Sequence, residues 1–279
     1  MMTSCFLADV QMLHKELLKS DVLKITQASS CLSGQSIKDV ILNKCYIPPS
    51  VKVGKTDKCD TLDLESVITQ EFGESTAGCK LLLCGGQGMG KTTALEQLVW
   101  DWASGIRLQR FKFILRLCSS TLRESKQSLE GIILNTHTHI SAEHLKTSLK
   151  APHTILFLLD DIQDLLSNFP ESGELVCDPH QSAEGTVLVH SLLAGTLLPG
   201  VSLLLTSRED VELESVHLVH LLGFTSFQRN AFFQRFFESN DDGERILHLC
   251  EQAVGVKELC VGPGFCWTLC LCVQKANGA

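Results

Sequence analysis

The stretch Gly85-Gly86-Gln87-Gly88-Met89-Gly90-Lys91-Thr92 decides the fold of this chain. It follows an apolar run at residues 81–84, and residues 93–98 after it have helical spacing and good helix formers. A strand, a glycine loop and a helix start in this order are typical of a phosphate-binding loop. Glycines let successive backbone N–H groups point at a polyanion, and the helix dipole adds to the attraction. The alternative is a glycine-rich turn that matches the pattern by chance.

Two residues at the end of this loop have the chemistry that a bound nucleoside triphosphate needs. We expect Lys91 to supply a mobile positive charge for the β and γ phosphates. The Thr92 hydroxyl is expected to be a ligand of the Mg²⁺ ion that these phosphates carry. The predicted phosphate-binding residues are Gly85, Gly86, Gln87, Gly88, Met89, Gly90, Lys91 and Thr92.

The composition narrows the class of partner. The chain has 279 residues, of which 44% are hydrophobic, so it is long enough for one large α/β domain and a smaller appendage. Its formal charge is −8, and its 24 Lys and Arg residues are scattered along the chain. This argues against a nucleic-acid surface and for a free nucleotide as the ligand.

The cysteines and the absence of targeting signals indicate an intracellular location. The 13 cysteines stand at apolar positions such as Cys84, Cys118 and Cys250, where a reduced thiol serves as a small core residue. No window has the roughly 18 uninterrupted apolar residues of a membrane helix. Residues 1–19 also lack a basic segment followed by an apolar one. We therefore predict a soluble cytoplasmic protein without a membrane span.

Two further buried strands are predicted to bring polar residues to the loop. Residues 154–159 are a continuous apolar run that ends in Asp160-Asp161, and residues 201–205 lead into Thr206-Ser207-Arg208. Further strands are predicted near residues 111–117 and 216–222. This alternation of strands and helices predicts a parallel sheet with helices on both faces. The carboxyl ends of such strands share one edge, so Lys91, Asp160 and Arg208 should converge on one pocket.

Each of these acidic and basic residues has a functional interpretation and a plainer one. Asp160 is expected to hold the magnesium ion, unless it only caps the next helix. Asp164 is our candidate for orienting the attacking water, although an ordinary solvated acid is nearly as plausible. Arg208 is expected to meet the γ phosphate through its planar fork of donors rather than lie on the surface. Asp161 should point away from Asp160 if the strand continues, so its role is open.

The remaining segments divide the chain into three parts. Residues 1–75 are predicted to be a helical segment and linker, residues 76–223 the nucleotide-binding domain, and residues 224–279 a small, incomplete helical subdomain. The first helix should bury one face, and an exposed connector should follow the prolines at 48 and 49 as far as residue 58. A short helix is expected at residues 37–42 and another before residue 75. The predicted buried face of the first helix consists of Phe6, Val10, Leu13, Leu17 and Leu18.

Two other groups of residues are better explained by packing than by chemistry. His137 and His139 share a face only in a strand, and no Cys or Glu stands at a suitable spacing for a metal. Cys266, Cys270 and Cys272 fall in an apolar helix, where we expect them to pack in a core.

Taken in order, these motifs resemble the NACHT nucleotide-binding module of the NOD-like receptors, a branch of the STAND class of P-loop ATPases. The resemblance covers residues 79–273 and includes the loop through Thr93, the tryptophan-containing end of its helix, and a Walker B-like run at residues 156–164. It extends to a sensor region that ends in Arg208 and to a segment around Pro263 that looks like the family's helical domain. The details lean toward the CARD-type NOD subfamily.

The resemblance implies the ligands and the roles of several residues. ATP or ADP with Mg²⁺ would be the cofactors, with Lys91, Thr92 and Thr93 at the phosphates and Asp160 at the metal. Arg208 would sense the γ phosphate, and Pro263 would pack on the adenine. Family members are innate-immune receptors, so self-association or pairing with other NOD-like receptors is implied.

Two departures from the family pattern qualify this comparison. The usual Walker B run is Asp-Gly-x-Asp-Glu, whereas Asp161, Gln163 and Asp164 occupy its glycine, second acid and glutamate here. An added charge, a missing acid and a shorter carboxylate should all slow hydrolysis. The family's flanking effector, winged-helix and repeat domains are also missing from this sequence, so we expect a fragment or a truncated product.

Three functions are consistent with these residues. The first is an ATP/ADP-binding switch that controls self-association with slow or no hydrolysis. The second is a P-loop ATPase with real turnover, against which Gln163 counts. The third is a truncated receptor that pairs with relatives through its helical part without needing nucleotide.

Overall fold

A computed structural model describes residues 2–24, 45–54, 62–74, 78–168, 174–211, 213–237 and 240–277. The helix predicted at residues 37–42 lies outside these ranges. The helices are α1 (Met2–Lys24), α2 (Leu64–Glu74), α3 (Lys91–Ala103), α4 (Ser119–Arg123), α5 (Leu129–Thr136), α6 (Ala142–Ser148), α7 (Gln163–Ser167), α8 (Gly185–Ala194), α9 (Ser226–Phe236), α10 (Asn240–Gln252), α11 (Val256–Leu259) and α12 (Pro263–Asn277). The strands are β1 (Ser50–Val53), β2 (Leu62–Asp63), β3 (Lys80–Cys84), β4 (Phe113–Leu117), β5 (Ile155–Leu159), β6 (Ser202–Ser207) and β7 (His217–Gly223).

The seven strands form one mixed sheet in the order β2-β1-β7-β3-β6-β5-β4. The five strands from β7 to β4 are parallel, as the buried apolar runs predicted. The edge was not predicted: β1 runs antiparallel to both β7 and β2. The stretch expected to be an exposed connector therefore contains a strand, in which Val51 is fully buried. The backbone N–H and C=O groups of this short segment form hydrogen bonds with β7. The mixed composition of the segment gave no sign of this pairing.

Helices cover both faces of the sheet, which confirms the α/β P-loop NTPase architecture. Alternate residues of each strand contribute to two separate apolar cores. On β3, Leu82 and Cys84 belong to the core beneath α5 and α8, and Leu81 and Leu83 belong to the core beneath α2 and α3. Since both faces are covered, the central strands contain few polar residues until they reach the edge where the loop lies.

The first helix forms as predicted, and its predicted face is confirmed in part: Leu18 is buried and Val10 is partly buried. Its buried residues are His14, Leu18 and Val22, spaced four residues apart. Leu13 and Leu17, expected in the core, are 48% and 36% exposed, so that prediction was wrong. The physical reason is His14, whose imidazole Nε2 lies 2.8 Å from the carbonyl oxygen of Ile114 on β4. A polar residue with a buried partner determines which side of α1 packs on the sheet.

A third apolar core joins the C-terminal helices α9 to α12. It contains phenylalanines of α9, with Phe233 fully buried and Phe236 partly buried. Cys266 and Cys270 are buried there as expected, but Cys272 is exposed, so the packing prediction fails for that cysteine. Cys45 and Ile47 also belong to this core. The segment before β1 therefore packs on the helical subdomain, and the domain boundaries at residues 75 and 223 stay predictions.

None of the helices in the described ranges is long and apolar enough to cross a membrane.

Candidate nucleotide-binding site

The glycine loop lies between β3 and α3 at the carboxyl edge of the sheet. The backbone N–H of Gly85 donates to the carbonyl oxygen of Ser207 at 3.2 Å, which anchors the loop to β6. Gly88 and Gly90 have φ angles of 81° and 89°, a left-handed conformation that favours glycine. Because Gly90 has no side chain to cap α3, the first amides of that helix remain available for an anion. These φ angles and the helix start without a side-chain cap are compatible with the predicted phosphate cradle.

Lys91 folds back over this loop. Its ammonium donates to the carbonyl oxygen of Gly85 and, at 3.0 Å, to that of Gly86. Burial lowers the pKa of Lys91, while the charges of Asp160 and Asp161 oppose that shift. The positive charge thus lies inside the loop, where a phosphate that entered would replace weak carbonyl partners with charged ones.

The two predicted magnesium ligands are in contact. The Thr92 hydroxyl donates to Oδ2 of Asp160 at 2.8 Å. The other oxygen of the same carboxylate accepts a hydrogen bond from the Thr206 hydroxyl. One carboxylate and one hydroxyl next to a phosphate cradle form the oxygen donor set that Mg²⁺ uses when it is bound mainly through phosphates and water. The chain's own residues therefore fit this ion.

Thr206, which the sequence analysis names without giving it a role, contacts the predicted magnesium ligand Asp160. Besides its bond to Asp160, its oxygen accepts the backbone N–H of Asp161 at 2.8 Å. The side chain is fully buried. It therefore holds the end of β5 against the end of β6 and fixes the direction of the Asp160 carboxylate. The signal was its place directly after a buried strand beside Ser207 and Arg208.

Asp161 lies close to Arg208 rather than away from the site. Its φ angle is 55°, which is uncommon for a residue other than glycine and is tolerated best by Asp and Asn. The carboxylate accepts a hydrogen bond from the Arg208 guanidinium at 2.7 Å. The strand does not continue to Asp161, since β5 ends at Leu159 and the chain turns. The predicted γ-phosphate sensor thus has a carboxylate partner within its own chain.

Asp164, the predicted water-orienting acid, also has a cationic partner. Its Oδ2 lies 3.2 Å from the guanidinium of Arg123, and its side chain is 63% exposed. The same guanidinium donates to the backbone carbonyl oxygen of Asp161 at 3.0 Å. Arg123 was missed because nothing in the sequence around it, at the end of the short helix α4, indicated contact with residues 161 and 164.

The start of α12 lies on the glycine loop. The backbone N–H of Gly264 donates to the carbonyl oxygen of Gly88 at 2.9 Å. The ring of Pro263 is so close to Gly90 that a Cβ atom added there would lie 3.7 Å from Pro263 Cγ. Pro263 therefore lies beside the glycine loop, and its contact with an adenine base stays a prediction.

A buried ion pair connects the helix that follows the loop to the sheet. Arg116 on β4 forms two hydrogen bonds to Glu96 on α3, at 2.8 and 2.6 Å. Glu96 is only 5% exposed. Burial raises the pKa of Glu96, and the charge of Arg116 opposes that shift. This pair was not predicted, although a glutamate between the apolar residues Leu95 and Leu98 is the kind of signal that indicates a buried partner.

The histidines considered for metal binding belong to an aromatic cluster with His14. Nδ1 of His14 lies 2.8 Å from Nε2 of His139, and the rings of His14 and His137 are 5.2 Å apart. His137 accepts the backbone N–H of Arg116 at 3.2 Å. These contacts dock α1 on the sheet.

The fold and the glycine loop define a P-loop NTPase domain. The family model of the NACHT domain matches residues 80–240, which is more than half of the chain. The chain belongs to the NACHT domain family.

Similar proteins support the same class. "NACHT, LRR and PYD domains-containing protein 9" of Bos taurus is 27% identical over 233 residues, which cover 81% of this chain and 23% of that protein. "NACHT, LRR and PYD domains-containing protein 3" of Macaca mulatta is 31% identical over 232 residues, which cover 78% of this chain and 22% of that protein. The human protein of the same name is 29% identical over 232 residues, which cover 78% of this chain and 22% of that protein.

These comparisons bear on two earlier expectations. The chain spans less than a quarter of the length of these relatives. Their names specify PYD rather than CARD domains, so the expected CARD-type subfamily is not confirmed.

Proposed function

We propose that this chain is an ATP/ADP-binding switch module of a NOD-like receptor in the cytoplasm. The observation that carries the proposal is the meeting of five predicted residues at one edge of the sheet. Lys91 and Thr92 come from the loop helix, Asp160 and Arg208 follow β5 and β6, and Pro263 begins α12. The residues proposed to hold the phosphates, the metal ion and the base thus come from both the sheet and the helical subdomain.

Binding would exchange the present partners of these residues for those of the nucleotide. The loop amides and Lys91 would hold the β and γ phosphates, and Thr92 and Asp160 would hold Mg²⁺. When bound, Mg²⁺ would neutralise part of the phosphate charge. Pro263 would lie against the base. A nucleotide held in this way would contact the sheet and α12 together, so its presence would bias the position of the helical subdomain.

The site supports slow hydrolysis rather than rapid turnover. Asp164 is paired with Arg123, and the Oε1 atom of Gln163 accepts the backbone N–H of Arg208 at 3.3 Å. Neither residue is free to act as a strong base toward water in this arrangement. An ATPase with real turnover is the alternative, and it requires steady phosphate release that depends on Asp164. Equal rates in wild type and Asp164→Asn would exclude that dependence.

Nucleotide binding is tested with fluorescent ATP and ADP on the purified chain and on Lys91→Ala. Removing a charge-assisted contact with phosphate costs about 1.5–3 kcal/mol, so affinity should fall at least tenfold. Lys126→Ala is the matched control, because Lys126 pairs only loosely with Glu184 on the surface. If Lys91→Ala binds ATP and ADP with the same affinities as wild type, the proposal is refuted.

A second candidate function is pairing with a second copy or with other NOD-like receptors through the helical subdomain. The observation that favours it is a set of exposed apolar side chains, with Phe227 82% exposed, Leu259 56% exposed and Val254 fully exposed. Co-precipitation with a full-length relative should then fall in Phe227→Ser. Repeating it with Lys91→Ala separates nucleotide-dependent pairing from simple apolar association.

A further inference from the structure

A second group of ligating side chains lies at the opposite end of the sheet from the glycine loop. Cys79 immediately precedes β3, His217 begins β7, and Glu71 lies in the last turn of α2. One potential ligand atom from each of these three residues lies within 4.8 Å of the other two. The nucleotide site uses none of them.

The distances within this group are close to those of a metal site. His217 Nδ1 is 2.5 Å from Glu71 Oε2, and Cys79 Sγ is 3.9 Å from the same oxygen. Ligands around a tetrahedral zinc ion lie about 3.3–3.8 Å apart, given metal–ligand bonds of about 2.0–2.3 Å. The imidazole and the carboxylate need to separate by less than about 1 Å to reach this range. The His217 side chain is 59% exposed and has room to rotate.

The cysteine is held firmly in place. The backbone N–H of Cys79 donates to Ser202 Oγ at 3.3 Å, and its carbonyl oxygen accepts the N–H of Leu203 at 2.8 Å. The residue is 8% exposed. A cysteine with a fixed backbone and a more exposed imidazole allow a site to close around an ion without movement of the sheet.

We propose that Cys79, His217 and Glu71 bind a zinc ion, with water in the fourth position. A thiolate, an imidazole and a carboxylate together favour Zn²⁺ over the hard cations Mg²⁺ and Ca²⁺, which select oxygen ligands. The bound ion would replace the thiol proton and the hydrogen bond between His217 and Glu71, releasing protons to solvent. Burial and the charge of Glu71 raise the pKa of Cys79 to about 11, so the thiol is protonated until a cation arrives. The ion would tie α2 to the ends of β3 and β7.

The test is metal titration of the purified, reduced chain in buffer that contains excess Mg²⁺ to saturate the nucleotide site. Zn²⁺ should bind with one-to-one stoichiometry, and Co²⁺ should give a thiolate-to-metal charge-transfer band. Cys79→Ser should lose that band, and His217→Ala should bind Zn²⁺ at least tenfold more weakly. Two controls should match wild type: Cys272→Ser, at an exposed cysteine, and His180→Ala, at a half-exposed histidine that pairs with Glu130.

Thermal unfolding gives a second readout that separates binding from loss of the fold. Zn²⁺ should raise the midpoint of wild type and of both controls, by mass action on the native state. It should leave His217→Ala unchanged, and this exposed substitution should not unfold the chain in EDTA. No binding by wild type overturns the proposal. Equal binding by wild type and both site variants overturns it as well and identifies an adventitious ion only. Because Mg²⁺ and nucleotide are not part of the readout, failure here is independent of the nucleotide proposal.

Discussion

Replacing Asp161 with asparagine should favour ATP over ADP. In the structure the Asp161 carboxylate lies 2.7 Å from the Arg208 guanidinium, which must leave this partner to reach a γ phosphate. Asparagine removes the charge and tolerates the φ angle of 55°, so the backbone is kept. The substitution therefore removes the ion pair without changing the turn that positions residue 161.

The structure sets the size of the effect. The side chains of Asp161 and Arg208 are 37% and 53% exposed, so solvent screens the pair. Pairs of this kind contribute about 0.2–1 kcal/mol, which corresponds to roughly 1.4-fold to fivefold in affinity. Removing the repulsion between Asp161 and the γ phosphate acts in the same direction. The preference for ATP over ADP should therefore rise about twofold to fivefold, with little change in ADP affinity.

The assay is competition of ATP and ADP against one fluorescent nucleotide, for wild type, Asp161→Asn, Arg208→Ala and the double variant. In the Arg208→Ala background, the gain from Asp161→Asn should shrink to the part that comes from repulsion alone. An unchanged ratio of ATP to ADP affinity in Asp161→Asn would refute the reasoning. A full gain that persists without Arg208 would show that the ion pair has no part in it.

Three further predictions concern stability. Burial lowers the pKa of His14 from 6.5 to about 3, so the contribution of this neutral imidazole to stability is present above pH 6.5 and is lost as pH falls. Burial also lowers the pKa of the neighbouring His137, to about 4, so both histidines contribute to the loss. In urea unfolding, the loss of stability between pH 7.5 and pH 5.5 should be smaller by about 1.4 kcal/mol in His14→Gln than in wild type. Glu96→Gln breaks the pair with Arg116 and should cost about 2–3 kcal/mol, whereas Glu184→Gln on the surface should change stability by less than about 0.5 kcal/mol. Gly223 has a φ angle of 83°, and an alanine there would place its Cβ atom 2.2 Å from a carbonyl oxygen. Gly105 has a similar φ angle of 78° but has open space around it, so Gly223→Ala should lower the melting temperature more than Gly105→Ala does. Equal losses in the two glycine variants would contradict the contact argument.

The parts of the fold that could be predicted are those that depend only on residues close together in the sequence. Strands β3, β5 and β6 are continuous apolar runs because helices cover both of their faces, and a run of that kind is visible without knowing its neighbours. The glycine loop is equally local, since its backbone angles depend on its own residues. The convergence of Lys91, Asp160 and Arg208 then follows from the rule that parallel strands share one carboxyl edge.

The parts that could not be predicted depend on partners far along the chain. The buried face of α1 is set by a contact between His14 and the carbonyl oxygen of Ile114, one hundred residues away. Strand β1 exists because it pairs with β7, and its four residues contain no decisive alternation. Arg123 reaches Asp164 from a separate helix. Each is a polar contact in three dimensions, and hydrophobic periodicity carries no information about it.

The hydrogen bonds of the glycine loop suggest how a nucleotide would act on the helical subdomain. The loop amides face the phosphate position, whereas the carbonyl oxygen of Gly88 already accepts the N–H of Gly264. A second bond, from the N–H of Phe224 to the carbonyl oxygen of Val261 at 2.7 Å, attaches the same subdomain to the end of β7. In the proposed switch, a nucleotide in the loop would act on α12 through the bond between Gly264 and Gly88, because the same short loop would hold the phosphates and the start of that helix.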